Sequence, residues 1–259
     1  MKLLFPQTIL ALYAEVLDRH YADDQLIAIR RAYELQCQLF TGLLTGSGKS
    51  HLEHGVGTAG ILVSIGAPLH LIQAAFVHNA YGLADFGDGH RRTVTPRRQA
   101  ELRRVIGERA ENCVRRFREI SWKADNVARM LGQFEQLDEL TRETLVLRLA
   151  DHLEHHLDAG LLYRSSEFML QTMASLRPYL PELATRLGYP QFIEYFESAH
   201  ETLDSWQVPA CLSVPVPYTP PRSYSLRFKV RCVRRLTALK NRVRRPLGKV
   251  AARLQARKK

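Results

Sequence analysis

Residues 51–81, HLEHGVGTAGILVSIGAPLHLIQAAFVHNAY, constrain the fold of this chain more than any other stretch. They are apolar almost all round, and Gly66-Ala67-Pro68 breaks them near the middle. Gly66 suits a helix end and Pro68 the first turn of a helix, because proline's missing amide hydrogen is not needed there. The stretch therefore predicts two helices joined by a tight turn, each needing other helices to cover it. Set into this apolar surface are two imidazoles, His54 on the first helix and His78 near the end of the second.

The flanking sequence supplies the cover. Residues 7–19 and 24–44 carry apolar side chains at three- and four-residue spacing, as in Leu26, Ile29, Tyr33, Cys37 and Phe40. Asp23 or Asp24 suits the cap of the second of these helices. Further helices are predicted over 97–120, 123–134 and 140–159, one capped by Ser165 or Ser166, and a last one beginning at Pro190. Residues 82–96 form a polar loop with Gly82, Gly87 and Gly89. No alternating apolar-polar run is long enough for a strand and no repeat is present, so the fold class is all-α. The GSGKS at 46–50 is not a phosphate-binding loop. The motif requires glycine where Leu43 stands, and a strand where the pattern is helical.

A third polar group lies far downstream. Asp151 sits in LVLRLADHL, beside Leu145, Leu147, Leu149 and Leu153. A carboxylate among such residues must be paired or bound to a metal, because an isolated buried charge costs too much. Imidazole nitrogen with carboxylate oxygen suits zinc, manganese or iron.

On these residues the chain resembles the HD-domain superfamily of metal-dependent phosphohydrolases. The opening HGVGTAGILVSIG followed by AAFVHNAYG carries the likeness. VIGERAENCV, KADNVARML and LVLRLADHLEHH extend it toward the hydrolase domains of RelA/SpoT-type alarmone enzymes, over about residues 25–160. A branch of HD-like proteins with a His-x-x-Tyr-Gly motif is similar at His78, Asn79, Tyr81 and Gly82. The resemblance implies an HD-like helical bundle whose divalent ion is held by His54, His78, Asn79 and Asp151. It also implies a phosphorylated small molecule or nucleotide as substrate, and some relatives of this fold use iron in oxygenation instead. The departures are specific. Asn79 stands where the family has aspartate, and a neutral amide cannot bridge two metals as a carboxylate does. Gly82 and Leu83 replace the acidic pair of alarmone hydrolases, and His155 replaces their asparagine one turn after the last aspartate. A single ion is therefore expected, with His155 as a fourth ligand or a catalytic base, or else as a solvated member of the run His152, His155, His156. Glu53 orients the His54 ring or lies on an exposed face. His51, His70 and His90 are expected at the surface. Arg91, Arg92, Arg97 and Arg98 form a solvated run or meet a phosphate. The second principal reading is a catalytically inactive HD-fold protein that binds ligands or scaffolds.

Charge divides the chain. Residues 221–259 hold 15 Lys or Arg and no acidic residue, more than the whole-chain net charge of +11, so the rest is net acidic. The expected organisation is a helical domain at 1–206, a proline-rich linker at 207–225 and a basic amphipathic helix at 226–259. That helix suits an anionic membrane surface. It suits nucleic acid less, because Tyr224 and Phe228 offer little for base stacking. The third reading is a disordered solubilising tail. Four separated cysteines without a CxxC pair fit a reducing compartment. Pro6, Glu15 and Asp18 make the N-terminus an amphipathic helix rather than a signal peptide. No run spans a bilayer, so the expected location is cytoplasmic, with peripheral membrane contact through the tail.

Overall fold

In a computed structural model the described residues are 5–45, 47–88, 92–157, 161–162, 167–209, 211, 232 and 236, with backbone alone at 167–169. They are helical and contain no strand. A lone bridge between Leu44 and Ser50 is the only extended pairing among them. In chain order the helices are α1 (Ile9–Asp18), α2 (Asp23–Phe40), α3 (His51–Ser64), α4 (Leu69–Val77), α5 (Ala80–Leu83), α6 (Pro96–Glu119), α7 (Ala124–Gly132), α8 (Glu139–His156), α9 (Glu167–Leu176), α10 (Leu180–Arg186) and α11 (Gln191–Ser205). The fold class is all-α. Contacts divide the chain into a compact unit of Met1–Asp85 with Arg91–Tyr218, and a second of Phe86–His90 with Thr219–Lys259. The linker at 207–225 lies largely, and the tail helix at 226–259 almost wholly, outside the described residues, as do His90, Arg91, Ser165 and Ser166.

Within the first unit, α4 is the central element. It packs on α2, α3, α6 and α8, and every residue from Leu71 to Val77 is buried. Its composition, LHLIQAAFV, explains this: only a helix without a polar face can be covered on all sides. Pro68 precedes α4 as its N-cap rather than standing inside the first turn. α3 is buried as completely, from His54 to Val63. It starts with Ser50, whose hydroxyl accepts the Glu53 amide while the Glu53 carboxylate accepts the Ser50 amide. Before it, the Thr45 amide donates to the Lys49 carbonyl and the Gly48 amide to the Thr45 carbonyl, which makes a turn.

Close approach to α3 depends on glycine. A methyl at Gly55 would stand 2.0 Å from the Gln36 amide nitrogen, which donates to the His51 and Leu52 carbonyls at 2.7 and 3.2 Å. A methyl at Gly57 would stand 2.8 Å from Glu154 Oε1. α2 begins one residue before the expected caps. Ala22 is the N-cap, its amide donates to Gln25, and Asp23 and Asp24 lie in the first turn.

The expected helix over 97–120 forms as α6, with a kink that periodicity did not announce. Gly107 has φ 80° and ψ 168°, a conformation that glycine adopts without a Cβ clash. Glu111 bridges the kink from a fully buried position, accepting from Tyr81 at 2.5 Å and from Arg103 at 2.8 Å. α8 begins at Asp138, whose side chain accepts the Thr141 amide at 2.7 Å. It carries twelve buried residues, against which α3, α4, α6 and α11 pack.

Candidate metal centre

Three helices deliver four polar side chains to one place. His54 comes from the first turn of α3, His78 from the C-cap of α4, and Asp151 and His155 from consecutive turns of α8. Asp151 Oδ1 lies 3.0 Å from His54 Nε2, 3.2 Å from His78 Nε2 and 3.7 Å from His155 Nε2. The His54 and His78 Nε2 atoms are 3.2 Å apart. The His155 ring stacks on that of His54, with centroids 4.6 Å apart.

The opposite ring edges are committed elsewhere. His78 Nδ1 donates to the Ala75 carbonyl at 2.7 Å, which fixes the proton on that nitrogen, since a carbonyl only accepts. His54 Nδ1 donates to Glu154 Oε2. Glu154 is fully buried, and its other oxygen accepts from Lys49 Nζ, which also reaches Gln7. Lys49, Glu154 and His54 thus form a chain that holds the His54 ring with Nε2 toward Asp151. The space that Gly57 leaves empty admits the Glu154 carboxylate.

This donor set fits a divalent ion. Around a four-coordinate ion with bonds of about 2.1 Å, ligand atoms stand about 3.4 Å apart; the His54, His78 and Asp151 atoms stand 3.0–3.2 Å apart, and one ligand atom each of His54, Asp151 and His155 lies within 4.8 Å of the others. Two imidazole Nε2 atoms and a carboxylate oxygen packed this tightly repel one another unless a cation or a proton lies between them. Without an ion a proton serves. Burial lowers the His54 pKa, but Glu154 and Asp151 outweigh it and raise the pKa to about 10. Burial likewise would raise that of Asp151, yet the facing His54 and His78 rings hold it well below the usual carboxylate value. A divalent ion would displace that proton.

A family model described as a domain of unknown function (DUF6817) matches residues 38–121. No curated protein matches the chain. The matched segment contains α3, α4 and α5 and therefore His54, His78 and Asn79. It ends before α8 and so leaves out Asp151, Glu154 and His155.

Asn79 lies beside the centre, but its amide nitrogen, not its oxygen, faces the site, donating to His78 Nε2 at 2.7 Å. Rotation of that amide by half a turn would present the oxygen to the same point. His155 is no solvated histidine. Burial and the His54 charge lower its pKa, and its neighbours His152 and His156 are buried too. Two further expectations need correction. His51 is buried rather than at the surface, 5.4 Å from the Phe40 ring, and burial with the nearby imidazoles pushes its pKa down to about 3. His70 is part-buried, 2.9 Å from Glu143. Glu53 is exposed and occupied by the α3 cap, so the carboxylate that orients His54 is Glu154. Of the arginines near the loop, Arg98 is buried and donates to the Thr93 carbonyl at 2.8 Å, while Arg92 and Arg97 are exposed.

One cation that the sequence did not single out borders the centre. Arg148, one turn before Asp151, places its guanidinium over the Phe117 ring at 3.5 Å, with Nη1 4.0 Å from Asp151 Oδ2. Nη2 donates to the carbonyls of Phe117 and Ile120. The side chains of Asp151, His155 and Arg148 keep 11–15 % of their surface exposed, whereas His54 and His78 keep 1–3 %. Access to the centre is therefore from the Asp151, His155 and Arg148 side.

Proposed function

We propose that this protein is a divergent HD-like, single-metal phosphohydrolase acting on a phosphorylated small molecule or nucleotide. The observation that carries the proposal is the convergence of His54 Nε2, His78 Nε2 and Asp151 Oδ1 within 3.0–3.2 Å, with both Nδ1 atoms engaged elsewhere. A divalent zinc, manganese or iron ion held there would supply Lewis acidity toward a phosphoryl oxygen and lower the pKa of water. The protein's own contributions follow from the geometry. His155, neutral and on the accessible side, is placed to accept a proton. Arg148, fixed on Phe117, is positioned to orient an anionic group entering beside Asp151. Asn79 in place of a carboxylate supports one ion rather than two.

Asn79 also favours the second reading, an HD-fold protein that binds a ligand without turning it over. Both readings accommodate recruitment to an anionic membrane surface by residues 226–259, which rests on their charge and apolar spacing. No helix among the described residues is long and apolar enough to cross a membrane. Liposome co-sedimentation of the full chain and of a form ending at residue 220 tests recruitment. Loss of binding to anionic vesicles in the shorter form is expected, and equal binding would end the idea.

Activity is tested with the full chain loaded with manganese, zinc or iron(II) on a panel of nucleotides and phosphomonoesters. Phosphate release that His78→Ala abolishes, and that Asn79→Asp raises, is expected. Release no faster than that of His78→Ala on every compound would leave the ligand-binding reading.

A further inference from the structure

α4 and α8 carry a second histidine–carboxylate pair. His70 and Glu143 precede His78 and Asp151 by the same interval on the same two helices, so α4 and α8 run side by side in one direction. At 1.5 Å per residue the second pair lies about 12 Å from the first. His70 Nε2 is 2.9 Å from Glu143 Oε1, yet this atom is shielded from water and not aligned for a hydrogen bond to any partner among the described residues. α6 adds Cys113, a fully buried thiol whose sulfur lies 3.9 Å from Glu143 Oε2. One ligand atom from each of the three residues lies within 4.8 Å of the others.

We propose that His70, Cys113 and Glu143 form a second divalent-metal site, with zinc as its natural occupant. One imidazole, one thiolate and one carboxylate form a donor set that selects zinc over magnesium or calcium. Thiolate and carboxylate together balance the charge of the ion. Binding forms a bond from sulfur to the metal and breaks the S–H bond, and the proton goes to solvent. Burial and Glu143 hold the Cys113 pKa up at about 12, so the thiol keeps its proton until an ion arrives. Arg109 donates to Glu143 Oε1 at 2.6 Å and to Glu139 at 2.5 Å. A carboxylate has lone pairs enough for a guanidinium and a metal together, and the half-exposed Arg109 stands on the solvent side. A groove of about 420 Å³, lined by Glu108, Arg109, Asn112, Glu139, Leu140 and Glu143, borders the Glu143 carboxylate.

Cobalt(II) titration of the chelator-stripped full chain separates the two sites, because only the second has a thiolate. Near-ultraviolet thiolate-to-cobalt charge transfer is expected for one equivalent of ion. Cys113→Ser and Glu143→Gln, checked for native helicity, should lose that absorption and that equivalent while keeping the other. His78→Ala should lose only the equivalent without the band. Absence of the band in the unmutated chain at saturating cobalt overturns the proposal whatever the variants do. So does a band that survives in Cys113→Ser, which would place the thiolate at Cys37, Cys211 or Cys232.

Discussion

At the scale of single residues, Glu154 decides whether His54 can serve as a ligand. It is buried between Lys49 and His54, and burial alone would raise its pKa. The positive charges of His54 and Lys49 lower it to about 2 instead. Truncating one member of such a pair strands the others. Glu154→Ala is expected to reduce the free energy of unfolding by about 3–5 kcal/mol, measured by urea denaturation. Glu154→Gln keeps the shape and removes the charge. It should fold, yet bind manganese or zinc about 10–100-fold more weakly by calorimetry, as is typical when an outer partner of a metal-bound histidine is lost. Unchanged affinity would reduce Glu154 to a packing role. Sequence separation explains why this residue was not legible. His54 and Glu154 are 100 residues apart, and in LEHH a glutamate reads as a surface group. Asp151 was legible because its leucine neighbours mark a buried helix, where an unpaired carboxylate costs too much.

At the scale of the helices, two glycines set what α3 and α6 can do. Gly57→Ala places a methyl against a carboxylate end that Lys49 and His54 already pin. The variant should keep its helicity but lose metal affinity about tenfold or more, because Glu154 cannot shift without releasing the His54 ring. Gly107→Ala is expected to cost about 1–3 kcal/mol in chemical denaturation, since φ of 80° with ψ near 168° is strained for any residue with a Cβ. A stability unchanged by that substitution would mean that α6 straightens freely. The helices around the site were readable for a physical reason: α3 and α4 are apolar all round, and Gly66 and Pro68 mark their junction. The kink was not, because a glycine inside an amphipathic pattern signals only weaker helix propensity, and the Tyr81 and Arg103 hydrogen bonds to Glu111 beside it have no sequence signature.

At the scale of the whole molecule, histidine burial links folding to acid. His51, His156 and His200 have pKa values pushed by burial to about 3, 4 and 4, and those of His152 and His155 are lowered as well. Each is neutral when folded and takes up a proton near pH 6.5 once unfolded. The unfolded chain therefore binds more protons between about pH 6.5 and 4, and stability falls as pH drops through that window. His54, with its pKa raised to about 10, works in the opposite sense: its contribution is complete below pH 6.5 and fades as pH rises toward 10. The thermal midpoint of the metal-free chain should accordingly peak between these limits and fall below pH 6.5 by differential scanning calorimetry. A midpoint flat from pH 7 to 4.5 would contradict the burial of these rings.

The claim on which the function rests is that α3, α4 and α8 together hold a metal. Metal analysis of the purified full chain, beside His78→Ala and Cys113→Ser, tests it most directly. With the helical spectrum unchanged, the expected result is one ion per chain in Cys113→Ser, and in His78→Ala one ion fewer than in the unmutated chain. An ion content that His78→Ala leaves untouched, or a chain that takes up no zinc, manganese or iron at any concentration that leaves it folded, would contradict it.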